Sequence, residues 1–386
     1  MYLDYSRRPR RRQPRWPWVL SVLVAIGVAL YLYLAKPDPF GVRPLVEGLR
    51  GPLPEPTPTE ISAQQRLTLG DRYFDQGRYD EALREYARAT ELDPMLAPAY
   101  VTWARILAYR HQTAEALRLA RRAVELDAES AAAQANLGMI LDWGGQPAEA
   151  VSVCLKAIKL DPTYAPGYAY LAEAYADLGR LNEAAEMSQR AVELDPANPF
   201  VRRNHGYVFE LLGRYRDAIA EYQAAVELHP YHAFIYLDLG RNYRALNQWS
   251  EAMLYLERAT EVDPGDATAL DQLGWTYFAQ GMYELATVQL EKAVAMAPEN
   301  ATFAGHLGIT YYVRRNYEEA ALQLEKAIAL GGATEEYAYT LGFCYAYTNQ
   351  CDRALPWFSR ALELNANSAI ARQGQSYCAG GGRSGG

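Results

Sequence analysis

An internal period of 34 residues governs most of this chain. Asp-Pro recurs at 93–94, 161–162, 195–196 and 263–264, at separations that are all multiples of 34. Set from Ala63, nine units end at Ser368 with no insertion or deletion. The twentieth position of the unit reads Ala82, Ala116, Ala150, Ala184, Ala218, Ala252, Ala286, Ala320 and Ala354. The twenty-seventh reads Ala89, Ala123, Ala157, Ala191, Ala225, Ala259, Ala293, Ala327 and Ala361. The eighth is Gly in every unit except two, which carry Ala104 and Ala172. The eleventh is large throughout: Tyr73, Leu107, Leu141, Tyr175, Phe209, Tyr243, Tyr277, Tyr311 and Tyr345. Small residues at fixed positions let two helices approach, and large ones three or four positions away fill the space beside them. Such a unit buries its apolar face only against its neighbours, so the chain forms a stack rather than one globular core.

The fifteenth position is Gly77, Gly145, Gly179, Gly213, Asn247, Gly281 or Asn349, with His111 and Arg315 in the remaining units. Gly and Asn tolerate the left-handed backbone that ends a helix. Pro at the thirty-second position (Pro94, Pro162, Pro196, Pro230, Pro264, Pro298) suits the start of the next helix; Ala128, Gly332 and Ala366 replace it. Each unit is therefore predicted to be a helix, a tight turn, a second helix and a short link.

These residues resemble the tetratricopeptide repeat (TPR) family, whose pattern of Leu-Gly, Tyr, Ala, aromatic, Ala and Pro is carried by LTLGDRYFDQGRYDEALREYARATELDP at 67–94. The second unit departs most, with Trp103-Ala104 in place of Leu-Gly and Ala128 in place of Pro. The resemblance implies an all-α, right-handed solenoid of nine repeats: 63–96, 97–130, 131–164, 165–198, 199–232, 233–266, 267–300, 301–334 and 335–368. Residues 369–377 read as a capping helix and 378–386 as a flexible Gly-rich tail.

The first 62 residues read differently. Residues 1–17 form a basic tail: Arg7, Arg8, Arg10, Arg11, Arg12 and Arg15 give the first 18 residues +5, leaving −13 for the rest of a chain whose total is −8. Residues 18–35 carry no charge and are predicted to be a single transmembrane signal-anchor helix. The Arg cluster before them predicts a cytoplasmic N-terminus and an extracytoplasmic repeat domain in a cell membrane. Bulky Tyr33 stands where cleavage would need a small residue, so the anchor is read as uncleaved. Residues 36–62 are a Pro-rich spacer.

An acidic body does not fit a nucleic-acid surface. No Gly-rich phosphate loop and no paired catalytic acids occur in the repeats, so the reading is no enzyme, no cofactor and no metal. His229 and His232 lie in an inter-unit link and read as a solvated turn. Cys154 sits at a core position. Cys344, Cys351 and Cys378 cluster near the C-terminus, where two of them are candidates for a disulfide.

In the resembled family the first helices line a concave face. Its inward positions in the first four units hold Asp71, Asp75, Asp142, Glu173 and Asp177, with Tyr109, Trp143 and Tyr170. In the last five they hold Phe200, Arg203, Asn204, Tyr207, Phe234, Arg241, Arg244, Trp275, Phe278, Tyr312, Tyr339, Phe343 and Tyr347. Aromatics offer rigid contact area and Arg forks onto carboxylates, so these are the peptide-groove candidates. The family's clamp for C-terminal carboxylates is absent, because Tyr207 and Asp238 stand where its Asn residues would be. The function expected is a membrane-tethered scaffold for protein or extended-peptide partners, in envelope assembly or secretion. The alternatives are a targeting subunit of a separate enzyme, as in glycosyltransferase-type systems, or a cytoplasm-facing adaptor. Self-association through the ninth unit is a further expectation.

Overall fold

The computed structural model describes residues 16–35 and 61–380. The basic tail as far as residue 15, the Pro-rich spacer at 36–60 and the last residues of the Gly-rich tail lie outside the described residues. Among the described residues there are 20 helices and no strand. The chain divides into two units, residues 1–60 and 61–386.

In the first unit one helix, Trp16–Ala35, runs for 20 residues. Its described side chains, those of residues 18–31, are all exposed. Among the described residues no helix is long and apolar enough to cross a membrane.

The second unit is a succession of helical hairpins. First helices run Ala63–Asp75, Ala97–Tyr109, Ala131–Trp143, Ala165–Asp177, Pro199–Leu211, Ala233–Ala245, Ala267–Ala279, Ala301–Val313 and Glu335–Tyr347. Second helices run Tyr79–Leu92, Thr113–Leu126, Pro147–Leu160, Leu181–Leu194, Tyr215–Leu228, Trp249–Val262, Tyr283–Met296, Tyr317–Ala329 and Cys351–Leu364. A last helix, Ala369–Ala379, covers the end.

Local chemistry sets these limits. Ser62, Ser130, Asn198, Asp266, Asn300, Thr334 and Ser368 each accept a hydrogen bond from the backbone N–H groups that open the following helix. The fifteenth position takes positive φ in all nine repeats. His111 (57°) and Arg315 (64°) are bent into the same left-handed turn as the Gly and Asn residues. The two Ala positions are fully buried where the paired helices cross. Phe358 fills the end of the stack, and a Cβ added to Gly342 or to Gly374 of the last helix would meet its ring at 2.6 or 2.2 Å. Cys351 and Cys378 are joined in a disulfide that ties this last helix to the ninth repeat, while Cys154 and Cys344 are free and buried.

The stack also curls onto itself. Tyr79 of the first repeat donates to the Tyr231 carbonyl (3.1 Å), and its hydroxyl lies 3.0 Å from His232 Nδ1, both at the end of the fifth. Arg110 of the second repeat pairs with Asp263 of the sixth at 2.8 Å. The solenoid therefore closes one turn between its first two repeats and its fifth and sixth. His232 is buried in that closure, not solvated as its place in a link suggests.

Candidate functional site

Closing the turn fills part of the concave face with the chain's own rings. Tyr109 stacks on Phe234 at 4.3 Å between centroids, and His232 packs on Phe200 (4.9 Å) and Phe74 (5.4 Å). Phe234, Tyr109 and His232 are buried; Phe200 is half-buried. Burial pushes the Tyr109 hydroxyl well above its usual range and His232 well below its own.

Beside this plug lies a cavity of about 450 Å³, bordered by Trp143, Tyr207, Glu210, Phe234 and Arg241 among others. A ladder of alternating charge crosses its wall. The Trp143 indole N–H donates to Glu173 at 3.0 Å. Glu173 also takes hydrogen bonds from Arg203 and from the Asn204 amide (3.0 Å). Arg203 Nε donates to Asp238 at 2.7 Å. Asp238 accepts again from Arg241 (2.7 Å), which reaches Glu210 at 2.6 Å. The ladder thus joins repeats three to six. Arg203 also lies over the Trp143 and Tyr207 rings, 5.3 and 5.2 Å from their centroids. Against burial, which opposes it, Arg203 and Arg241 hold the Asp238 carboxyl below its usual range. Burial raises Glu173 despite Arg203. Asp142, behind the ladder, has no hydrogen-bond partner on either oxygen, and burial next to Glu173 and Asp177 pushes it up to about 9.

The groove candidates thus fall into two groups. Arg203, Asn204, Phe234 and Phe343 are buried and engaged within the chain, and Phe200, Tyr207 and Arg241 border the plug and ladder. Arg244 is half-buried and donates to Gln272 at 2.7 Å. The second group lies along repeats seven to nine, half-buried except for the exposed Tyr347. Trp275 stacks between Phe278 (4.6 Å) and His306 (4.1 Å), with His306 Nδ1 2.8 Å from Asp271. Tyr312 neighbours Tyr347, which is 41% exposed and meets Tyr377 of the last helix edge-on. Tyr339 is half-buried. Sequence reasoning missed the plug, because the period reports contacts between neighbouring repeats and carries no signal for contacts four repeats away. It also missed Glu173 and Glu210 as partners of Arg203 and Arg241. Among the described residues no group of His, Cys, Asp or Glu is arranged to hold a metal ion.

Four family models match within these hairpins. One, a TPR repeat, covers residues 70–101; three described as tetratricopeptide repeat cover 200–264, 144–202, and 101–165 with 272–338. Together they span more than half of the chain, which belongs to the tetratricopeptide repeat proteins. A search of curated proteins gives no match. Among solved structures, the APC/C hetero-tetramer Cut9–Hcn1 is similar, with a TM-score of 0.66 at 17% identity over 83% of this chain. This chain spans 63% of that one's length, less than two thirds. PilF of Pseudomonas aeruginosa is similar over 56% of this chain and 98% of its own, at 18% identity and a TM-score of 0.51. Both likenesses concern the fold.

Proposed function

We propose that this chain is a membrane-tethered scaffold that binds a protein or extended peptide on the concave face of its last three repeats. The observation that carries the reading is the aromatic row Trp275, Phe278, Tyr312 and Tyr347 on consecutive first helices, whose first three rings are half-buried and whose last is exposed. A row of rigid rings that the chain covers only in part is what an extended ligand with alternating side chains would use. The cavity beside Tyr207 and Arg241 lies on the same concave face and offers the row a polar end. A hetero-tetramer built on a solenoid of this shape is in keeping with a scaffold role.

The tether rests on the sequence. Residues 18–35 carry no charge and follow six Arg, the pattern of an anchor with a basic flank. By the same charge rule the repeats face away from the cytoplasm, where envelope assembly or secretion would use them.

Crosslinking recovery of partners from native membranes tests the site, comparing the wild type with Trp275→Ala plus Tyr347→Ala. Loss of a specific partner from the double variant is the expected result; equal recovery removes the assignment. Alkaline extraction of membranes and a compartment-specific reporter at the C-terminus test the tether and its orientation.

A further inference from the structure

We propose that the outer face of repeats six to nine docks an amphipathic helix of another protein, one whose apolar side is flanked by basic residues. On each second helix the buried Ala at the twentieth position faces the core. The twenty-second position lies two residues on, roughly 200° round the axis, and points outward. In repeats one to five it holds Arg84, Arg118, Ser152, Glu186 and Ala220, as an outward position should. In repeats six to nine it holds Leu254, Val288, Leu322 and Pro356. Leu254 is 60% exposed, Val288 47% and Leu322 65%, and Leu285 and Leu355 stand exposed beside them. Core packing needs none of these side chains, and four successive repeats carry the change.

The surroundings specify the occupant. One helical turn before the stripe stand Glu284, Glu318 and Asp352; about one turn after it stand Glu257, Glu291 and Glu325. The four second helices carry ten carboxylates against five cations. Three of those cations, Arg258, Arg353 and Arg360, are paired with Glu261, Glu325 and Glu363. A cleft of about 230 Å³ opens beside Leu322, with Glu318, Glu325 and the latter's partner Arg353 on its walls, and gives an inserted side chain a recess. An anionic lipid surface would be repelled by these rows of acid, since surface-binding helices present Lys and Arg. A second copy would set the same acids face to face. A helix with an apolar stripe between basic rows matches both the apolar residues and their flanks.

The test uses the purified full chain in mild detergent and a fluorescent synthetic leucine–lysine amphipathic helix, read by anisotropy. A leucine–glutamate helix and a scrambled leucine–lysine peptide serve as controls. The leucine–lysine helix should bind, and added salt should weaken it. Leu254→Glu plus Leu322→Glu should weaken it by about tenfold or more. Arg84→Glu plus Arg118→Glu, the same position in the first repeats, should change it by less than about twofold. Glu284→Lys plus Glu318→Lys should move the preference toward the leucine–glutamate helix, a gain that an unfolded variant would not show. Unchanged affinity in the leucine variant overturns the proposal, as does equal binding of the scrambled peptide. So does stripe-dependent binding to phosphatidylglycerol vesicles, or stripe-dependent dimerisation. Because Trp275 and Tyr347 lie on the other face, failure here leaves the concave-face reading to its own test.

Discussion

Arg110 and Asp263, 153 residues apart in sequence, form a two-pronged ion pair: Nε to Oδ2 at 3.0 Å and Nη2 to Oδ1 at 2.8 Å. Both side chains are nearly buried, at 11% and 5% exposure. Breaking a buried pair costs about 3–5 kcal/mol; without Asp263, Arg110 keeps only the exposed Asp80, which places the loss toward the lower end of that range. Asp263→Ala should therefore lower the urea midpoint substantially. It should also raise the radius of gyration in small-angle scattering, because the curl between the second and sixth repeats loses its clasp. Asp80, the other partner of Arg110, is largely exposed, and Asp80→Ala should cost under about 1 kcal/mol.

The second contact of that curl is sensitive to acid. Burial, reinforced by His229 and Arg105, holds His232 well below its usual range. Below about pH 6.5 the unfolded chain then binds a proton that the folded chain refuses, so stability falls as pH drops. His232→Gln should flatten the loss between pH 6.5 and 5 by up to about 1.4 kcal/mol per pH unit relative to wild type, measured by urea unfolding. Tyr79→Phe should cost about 1–2 kcal/mol at pH 7.5, through the hydrogen bonds to Tyr231 and His232.

Asp142 acts in the opposite direction. Its carboxyl is pushed up to about 9 by burial first and by Glu173 and Asp177 next. Between the ordinary Asp value near 3.9 and 9 the folded state holds a proton that the unfolded state has lost, so this residue makes stability fall as pH rises. Asp142→Asn keeps the shape and removes the titration. Its unfolding free energy should decline less than that of wild type from pH 5 to 8.5.

Arg315 occupies the left-handed turn of the eighth repeat at φ 64°. An L side chain there costs roughly 1–2 kcal/mol that glycine avoids, partly offset by glycine's larger chain entropy. Arg315→Gly should raise stability by a few tenths to about 1 kcal/mol, seen as a higher thermal midpoint.

The Cys351–Cys378 disulfide spans 27 residues of sequence and holds the last helix over Phe358. Cys378→Ser should cost about 2–4 kcal/mol and speed amide exchange across residues 369–379 first. Cys344 is buried, which pushes its thiol up to about 12. It should resist alkylation in the native protein and react on unfolding.

The helical hairpins were legible from two Ala positions and one turn position, because packing between adjacent helices repeats identically in every unit. Even His111 and Arg315 take the turn conformation their position demands, although their side chains oppose it. The concave face was legible only as a set of residues. Whether Phe234 or Trp275 meets a ligand depends on how far the stack curls, and curl accumulates from small rotations that no single position encodes. Tyr79 and His232 meet because of that sum. The Arg–carboxylate ladder was half visible: Arg241 and Asp238 are three residues apart on one helix, but Glu173 and Glu210 come from preceding repeats.

The order of charges along the ladder has a bearing on assembly of the chain itself. Nine hairpins sharing the same Ala seams can dock out of turn, since each apolar face is close to a copy of the next. Glu173, Arg203, Asp238, Arg241 and Glu210 do not repeat. They work as a lock cut differently at each tooth: a hairpin displaced by one place would bury a guanidinium against apolar surface or against another guanidinium. Similar seams supply the cohesion, and dissimilar charges tell each hairpin its place in the queue.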